Sequence, residues 1–188
     1  MDLSLKGKSA LVCGGSQGIG RACAEELAAL GARITLVSRS AEKLEAARGI
    51  IEKINNESSH DTWVLDFDDT EGLKEAVANR DMNFDIVINN SGGPKAGPIV
   101  EAKTDDFVVG FRRHILASHV ITQAVIPHMN NNGYGLIINV ISTSVKQPIL
   151  GLGVSNTIRG AMGNWAKTMA MELGPHAITV NNLLPGKT

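Results

Sequence analysis

Short apolar runs alternate with longer amphipathic ones along this 188-residue chain. "SALVCG" (9–14), "RITLVS" (33–38), "TWVLDF" (62–67), "FDIVINN" (84–90), "GLIINVIS" (135–142) and "AITVNNLL" (177–184) read as strands. They are rich in Val, Ile and Leu and lack the in–out alternation of a half-exposed sheet, so both faces are expected to be covered. Between them the spacing predicts helices at about 19–30, 41–54, 70–80, 105–129 and 155–173. Buried strands that are each followed by a helix predict a parallel α/β sheet. No repeat, low-complexity run or linker interrupts the pattern, so residues 1–188 read as one domain. In the last helix Ile158, Ala161, Met162, Trp165, Met169 and Leu173 recur at spacings of three and four, the expected buried stripe. Ser155 and Arg159 fall off that stripe and share a face of their own.

Composition narrows the class. Hydrophobic residues make up 43% and charged residues 20%, an ordinary globular balance. A net charge of -1 supplies no basic surface for nucleic acid or an anionic membrane. Cys13 and Cys23 lack metal-ligand spacing and are too few to staple a secreted domain, so a reduced cytoplasm is expected. "MDLSLKGKSA" lacks the apolar run of a signal peptide, and no segment is long enough to span a bilayer. The sequon at Asn56 is then without consequence. His60, His119, His128 and His176 show no ligand spacing, and no metal site is expected.

The chemistry begins at "CGGSQGIG" (13–20), which follows the first strand and opens the first helix. Glycines there allow close backbone approach, and free N–H groups with the helix dipole favour a pyrophosphate. Gly14, Gly18 and Gly20, with Ser16, Gln17 and Ile19 between them, are the candidate cradle; their spacing departs from the common G-x-G-x-x-G. The second strand ends at Ser38 and Arg39, with no carboxylate for a ribose 2′-hydroxyl, which predicts NADP(H) in preference to NAD(H). Asp66 is placed to accept from an adenine amino group, and Asn90, Ser91 and Gly92 of "NNSGG" offer an amide and small residues beside a ligand. The pair Arg112–Arg113 reads as a solvated or subunit-facing surface. "PGKT" (185–188) echoes a phosphate loop, but Asn181 stands where that loop needs its first glycine.

Together these motifs resemble the short-chain dehydrogenase/reductase family from Leu3 to Gly186, and within it the 3-oxoacyl-carrier-protein reductases. "CGGSQGIG" resembles the family's T-G-x-x-x-G-x-G, "NNSG" its N-N-A-G, and "ITVNNLLPG" its late strand and P-G turn. The resemblance implies a Rossmann-type doubly wound parallel sheet of strand order 3-2-1-4-5-6. It also implies a nicotinamide dinucleotide, a small-molecule carbonyl or alcohol substrate, and a homo-oligomer, dimer or tetramer. Pro185 and Gly186 join the implied cofactor contacts. The family continues beyond its P-G turn through a substrate loop, a helix and a last strand, so further C-terminal sequence is expected to cover the edge of "AITVNNLL".

The family's catalytic Asn, Ser, Tyr and Lys fall on His114, Ser142, Ser155 and Arg159, so only the serine is retained. Serine is a far weaker acid than tyrosine, and arginine stays protonated and relays no proton. Arg159 can still hydrogen-bond a cofactor ribose or substrate oxygen and stabilise negative charge. His114, with an ordinary pKa of ~6.5, is the group suited to acid–base work. Two readings follow: an NADP(H) oxidoreductase whose proton path is rebuilt through His114, Ser142 and Ser155, or a dinucleotide-binding sensor or partner subunit without turnover.

Overall fold

The computed structural model describes residues 2–186. Strands β1 (Ser9–Cys13), β2 (Arg33–Ser38), β3 (Asp61–Val64), β4 (Ile86–Asn89), β5 (Gly135–Val140) and β6 (Ile178–Leu183) form one sheet. Its order is β3-β2-β1-β4-β5-β6, with every pairing parallel. Helices α1 (Gly18–Ala29), α2 (Ala41–Ile54), α3 (Thr70–Ala78), α4 (Thr104–Phe111), α5 (Ala117–Asn132) and α6 (Gly153–Leu173) cover its two faces. This is the doubly wound arrangement, and the reversal of strand order between β1 and β4 opens a crevice at the strands' C-terminal ends. Among the described residues no helix is long and apolar enough to cross a membrane.

Alternate residues of each central strand serve opposite layers, as the pleat requires. Leu11, Val37, Val87, Ile137 and Ile178 pack with Ile121, Val125, Met129 and Leu173 on one side. Val12, Ile34, Leu36, Ile86 and Ile88 pack with Ala24, Ala28, Leu44 and Ile51 on the other. β1 and β4 are buried throughout, while β6, at the sheet's end, alternates with Thr179 and Asn181 exposed. A polar thread crosses the ends of β4, β5 and β6: Asn89 donates to Asn139 at 2.9 Å, and Asn139 to Asn182 at 3.2 Å.

Three expectations are corrected. The single tract at 105–129 is two α-helices joined by a π-helical turn, Arg112–Leu116, which widens the ladder at Arg113 and His114. β3 ends at Val64 rather than continuing to residue 67, because the chain leaves the sheet for the bend that carries Asp66 and Asp68. On α6 Ala161 is exposed, whereas Val154, Arg159 and Ala166 join Ile158, Met162, Met169 and Leu173 on the buried face. Arg159 therefore lies inside the packed side and not on the polar face its charge suggests.

Candidate active site

The crevice begins at the turn after β1. Gly14 adopts φ 60°. A Cβ there would stand 2.6 Å from Asn90 Nδ2, and one on Gly20 would run into the Gly14 carbonyl oxygen. The backbone can thus fold back on itself only without side chains. Asn90 fixes the turn by donating from Nδ2 to the carbonyls of Cys13 (3.3 Å) and Gly14 (3.4 Å). Gln17 precedes α1 without a side-chain capping bond, and no acidic residue occupies the first turn. The free N–H groups of the helix therefore face an open cleft of about 410 Å³, a surface that fits a pyrophosphate.

The predicted Gly14, Ser16, Gln17, Gly18 and Ile19 line one side of that cleft. Ser38, Arg39 and Asp66 line its outer end, and Asn90, Ser91 and Gly92 its inner end. Gly20 sits behind the wall, where it serves the turn. Ser40, Lys43 and Arg113 also line the cleft and were not foreseen from sequence. Ser40 caps α2 by accepting from Lys43 N at 3.3 Å, and Lys43 Nζ reaches Gln17 Oε1 at 3.5 Å, so that Lys43 and Arg39 both line the cleft. Arg113 overturns the solvated-surface reading: it grips Asp68 through Nε, 2.7 Å from Oδ1, and through Nη2 to Oδ2. Arg39 Nη1 lies 3.7 Å from the same carboxylate. The hydrogen bond from Arg113, aided by the charges of Arg113 and Arg39, holds the Asp68 carboxyl below the usual range, while Arg113 is raised by its bond to Asp68.

Beyond Asn90 and Ser91 the cleft meets a narrow, partly open cavity of about 10 Å³, room for roughly one water. His114, Arg159 and Asn89 form its polar walls. His114 is 3% exposed; its Nδ1 is 2.7 Å from Ser91 Oγ, and its Nε2 has no partner among the described residues. Burial first, then the charges of Arg159 and Arg113, push its pKa down to about 3. The expectation of a group titrating near neutrality is corrected: this imidazole is neutral. Arg159 is 8% exposed and donates from Nη1 to the Val140 carbonyl at 2.9 Å. Burial lowers its pKa, and no acidic neighbour opposes that shift.

The other predicted residues do not line this cavity. Ser142 follows β5, and its Oγ accepts from Ser144 N at 3.0 Å. Half-buried Ser155 makes no side-chain hydrogen bond among the described residues. Pro185 accepts from Thr143 N at 3.2 Å, which brings the Pro185–Gly186 turn beside Ser142 rather than onto the cleft wall.

Comparison with known proteins agrees with the crevice geometry. The short chain dehydrogenase family model matches residues 8–188. The chain belongs to the short-chain dehydrogenase family. Gluconate 5-dehydrogenase of Gluconobacter oxydans (strain 621H) is 36% identical over 186 residues, 97% of this chain and 72% of that protein. The structure of L-sorbose reductase from Gluconobacter frateurii, complexed with NADPH and L-sorbose, superposes with a TM-score of 0.91 at 30% identity. That match covers 99% of this chain and 72% of the reductase. A 3-oxoacyl (acyl-carrier-protein) reductase from Agrobacterium tumefaciens C58 with NADP bound shares the fold, with a TM-score of 0.91 at 20% identity over 98% of this chain and 72% of that one. The chain is thus an oxidoreductase of the short-chain dehydrogenase type, and the strand order implied by the resemblance is the one found.

Proposed function

We propose that the chain binds NADP(H) in this crevice and transfers hydride to or from a small carbonyl or alcohol compound, using His114, Ser142, Ser155 and Arg159 where its family uses Asn, Ser, Tyr and Lys. The observation that carries the reading is the crevice itself: an uncapped helix N-terminus faces it, and Arg39 and Lys43 flank its outer end. Those two cations suit a 2′-phosphate, and the nearest carboxylate, Asp68, is held by Arg113. Gly14, Ser16, Gln17, Gly18 and Ile19 would hold the pyrophosphate, Asp66 the adenine amino group, and Asn90, Ser91 and Gly92 the ribose side. Pro185 and Gly186 would border the nicotinamide end. A bound nicotinamide supplies or receives the hydride.

The protein's own groups then manage the substrate oxygen. Ser142 keeps its hydroxyl proton free, since its Oγ accepts from Ser144 N, and Ser155 has an uncommitted hydroxyl. Both are donors for a carbonyl oxygen, and Ser155 takes the place of the missing acid as one member of a hydroxyl–water chain. Neutral His114 holds Ser91 through Nδ1 and would serve the proton path as a hydrogen-bonding group. Arg159 keeps positive charge at the inner end of the cleft. A homo-oligomer in the cytoplasm accompanies this reading, supported by the exposed Val108 and Phe111 on α4.

The competing reading, a dinucleotide-binding protein without turnover, is favoured by the neutral His114 and by the absence of an acid at Ser155. Binding of NADPH and NADH, followed by nicotinamide absorbance with a panel of ketoses, oxo acids and alcohols, separates the two. Binding followed by turnover supports the oxidoreductase; tight binding without turnover supports the sensor. Activity gained only in the Ser155→Tyr, Arg159→Lys double variant would reveal a pocket that keeps its shape and has lost its chemistry. Undiminished turnover in His114→Ala would remove His114 from the proton path.

A further inference from the structure

We infer that Arg159 is the receptor for a substrate carboxylate, so that the natural substrate is a hydroxy or oxo acid rather than a neutral sugar or alcohol. This rests on the oxidoreductase reading and narrows it to one substrate class.

A guanidinium carries five N–H donors, and Val140 takes one of those on Arg159. Among the described residues Arg159 makes no other hydrogen bond and no ion pair, although it is more than nine-tenths buried. Its neighbours do not neutralise it. His114 is uncharged, Arg113 adds a second cation, and Asp68 is already shared by Arg113 and Arg39. A buried charge without a counter-charge is costly, and an arriving anion recovers that cost as affinity. A neutral hydroxyl leaves the charge unanswered.

The geometry also says where the anion arrives. Arg159 Nη2 lies 3.6 Å from where a Cβ on Gly93 would stand, so the free edge of the guanidinium lies under the "SGG" turn, residues 91–93. Gly92 and Gly93 put no side chain over it, and Asn90, Ser91, Phe67 and Arg113 are walls common to cleft and cavity. At that shared mouth, beside the ribose that Asn90, Ser91 and Gly92 would hold, the fork is open to a carboxylate. The cavity behind has room for about one water, so the anion stops at the fork. Phosphate groups of the dinucleotide have their own cradle at Gly14–Ile19, which leaves Arg159 for a second anion. The flat, two-pronged donor edge of arginine matches a carboxylate in a way the point charge of lysine does not.

The test uses the full chain saturated with NADP⁺ and follows its thermal midpoint in D-gluconate, in its neutral counterpart D-sorbitol, and in KCl at matched ionic strength. D-Gluconate is expected to raise the midpoint by about 2 °C or more over KCl, and sorbitol to leave it unchanged. Arg159→Met should lose the gluconate response and unfold about 2–4 °C higher without ligand, because it removes an unpaired buried charge. Arg159→Lys should retain only part of the response. A KCl or sorbitol effect equal to that of gluconate overturns the assignment, as does an undiminished response in a destabilised Arg159→Met. If the variants fail to fold, the wild-type comparison of gluconate with sorbitol decides alone. Turnover separates this from the broader reading. NADPH consumption that favours L-sorbose over 5-oxo-D-gluconate by tenfold overturns the carboxylate receptor and leaves the oxidoreductase standing. An Arg159-dependent gluconate response without any turnover does the reverse.

Discussion

Arg113 and Arg159 mark the two regions of one cleft, and their surroundings differ in kind. At the outer region Arg113 is matched by Asp68, and that pair lies beside Arg39, Lys43 and an uncapped helix end. Every charge there has a protein partner or faces open solvent. At the inner region Arg159 is buried with a neutral histidine whose Nε2 is unmet, and no acidic group among the described residues balances it. The outer region is complete in the protein alone, whereas the inner one is an arrangement that a ligand finishes. In the proposed reading the outer region keeps the family's cradle for the dinucleotide, and the inner one holds the rebuilt proton path.

The contrast breaks most severely at the cradle. Gly20→Val drives a side chain into the Gly14 carbonyl and to within 2.8 Å of Asn90 Nδ2 at its Cβ alone, so NADPH affinity should fall by about 100-fold or more. Titration calorimetry checks this; retained affinity would mean the dinucleotide lies elsewhere. Next in size is an acid effect confined to the inner region. His114 gains its proton near 6.5 when unfolded and near 3 when folded, so the unfolded state binds more protons between those values. Stability is full above about pH 6.5 and falls as pH drops toward 3, by about 1.4 kcal/mol per unit. Urea titrations across that range should show a flatter acid limb in His114→Gln.

A smaller effect sharpens the cofactor assignment. The Arg39→Ala, Lys43→Ala double variant should lose about tenfold in affinity for NADPH, roughly 1.4 kcal/mol, with NADH binding unchanged. An equal loss for both dinucleotides would move the 2′-phosphate away from this end. Smallest is Asp68→Asn, which frees Arg113 in a partly solvated setting. The expected cost is about 1 kcal/mol, a drop of roughly 2–4 °C in the thermal midpoint, with the His114 acid limb preserved.

How much of this the sequence disclosed follows the same division. β1, the glycine turn and α1 form a contiguous unit whose residue types each have a local reason, so "CGGSQGIG" could be read directly. Lys43 had a usable signal, since Ser40 as a helix cap places it in the first turn of α2 beside Arg39. Arg113 with Asp68 had none: the partners are 45 residues apart, and Arg113 stands on the π-turn between α4 and α5. The π-turn itself replaced a predicted continuous helix, because apolar spacing alone does not distinguish a widened turn from a regular one. The sequence places Arg159 off the apolar stripe on a face shared with Ser155, and only its burial escapes that reading. Periodicity assigns a charged residue to the polar face, so a buried cation beside Ile158 and Met162 is invisible until packing is seen.

The asparagines at the ends of β4, β5 and β6 have a consequence for assembly. β6 must align with β5 over six paired positions, Gly135 with Ile178 through Val140 with Leu183. A slip by one residue would exchange the faces of Val180 and Asn181 and strip Asn139 of its bond to Asn182 in an interior where that residue is wholly buried. The Asn89–Asn139–Asn182 thread thus works as a proofreading device: it penalises a misaligned β6 as that strand joins the sheet.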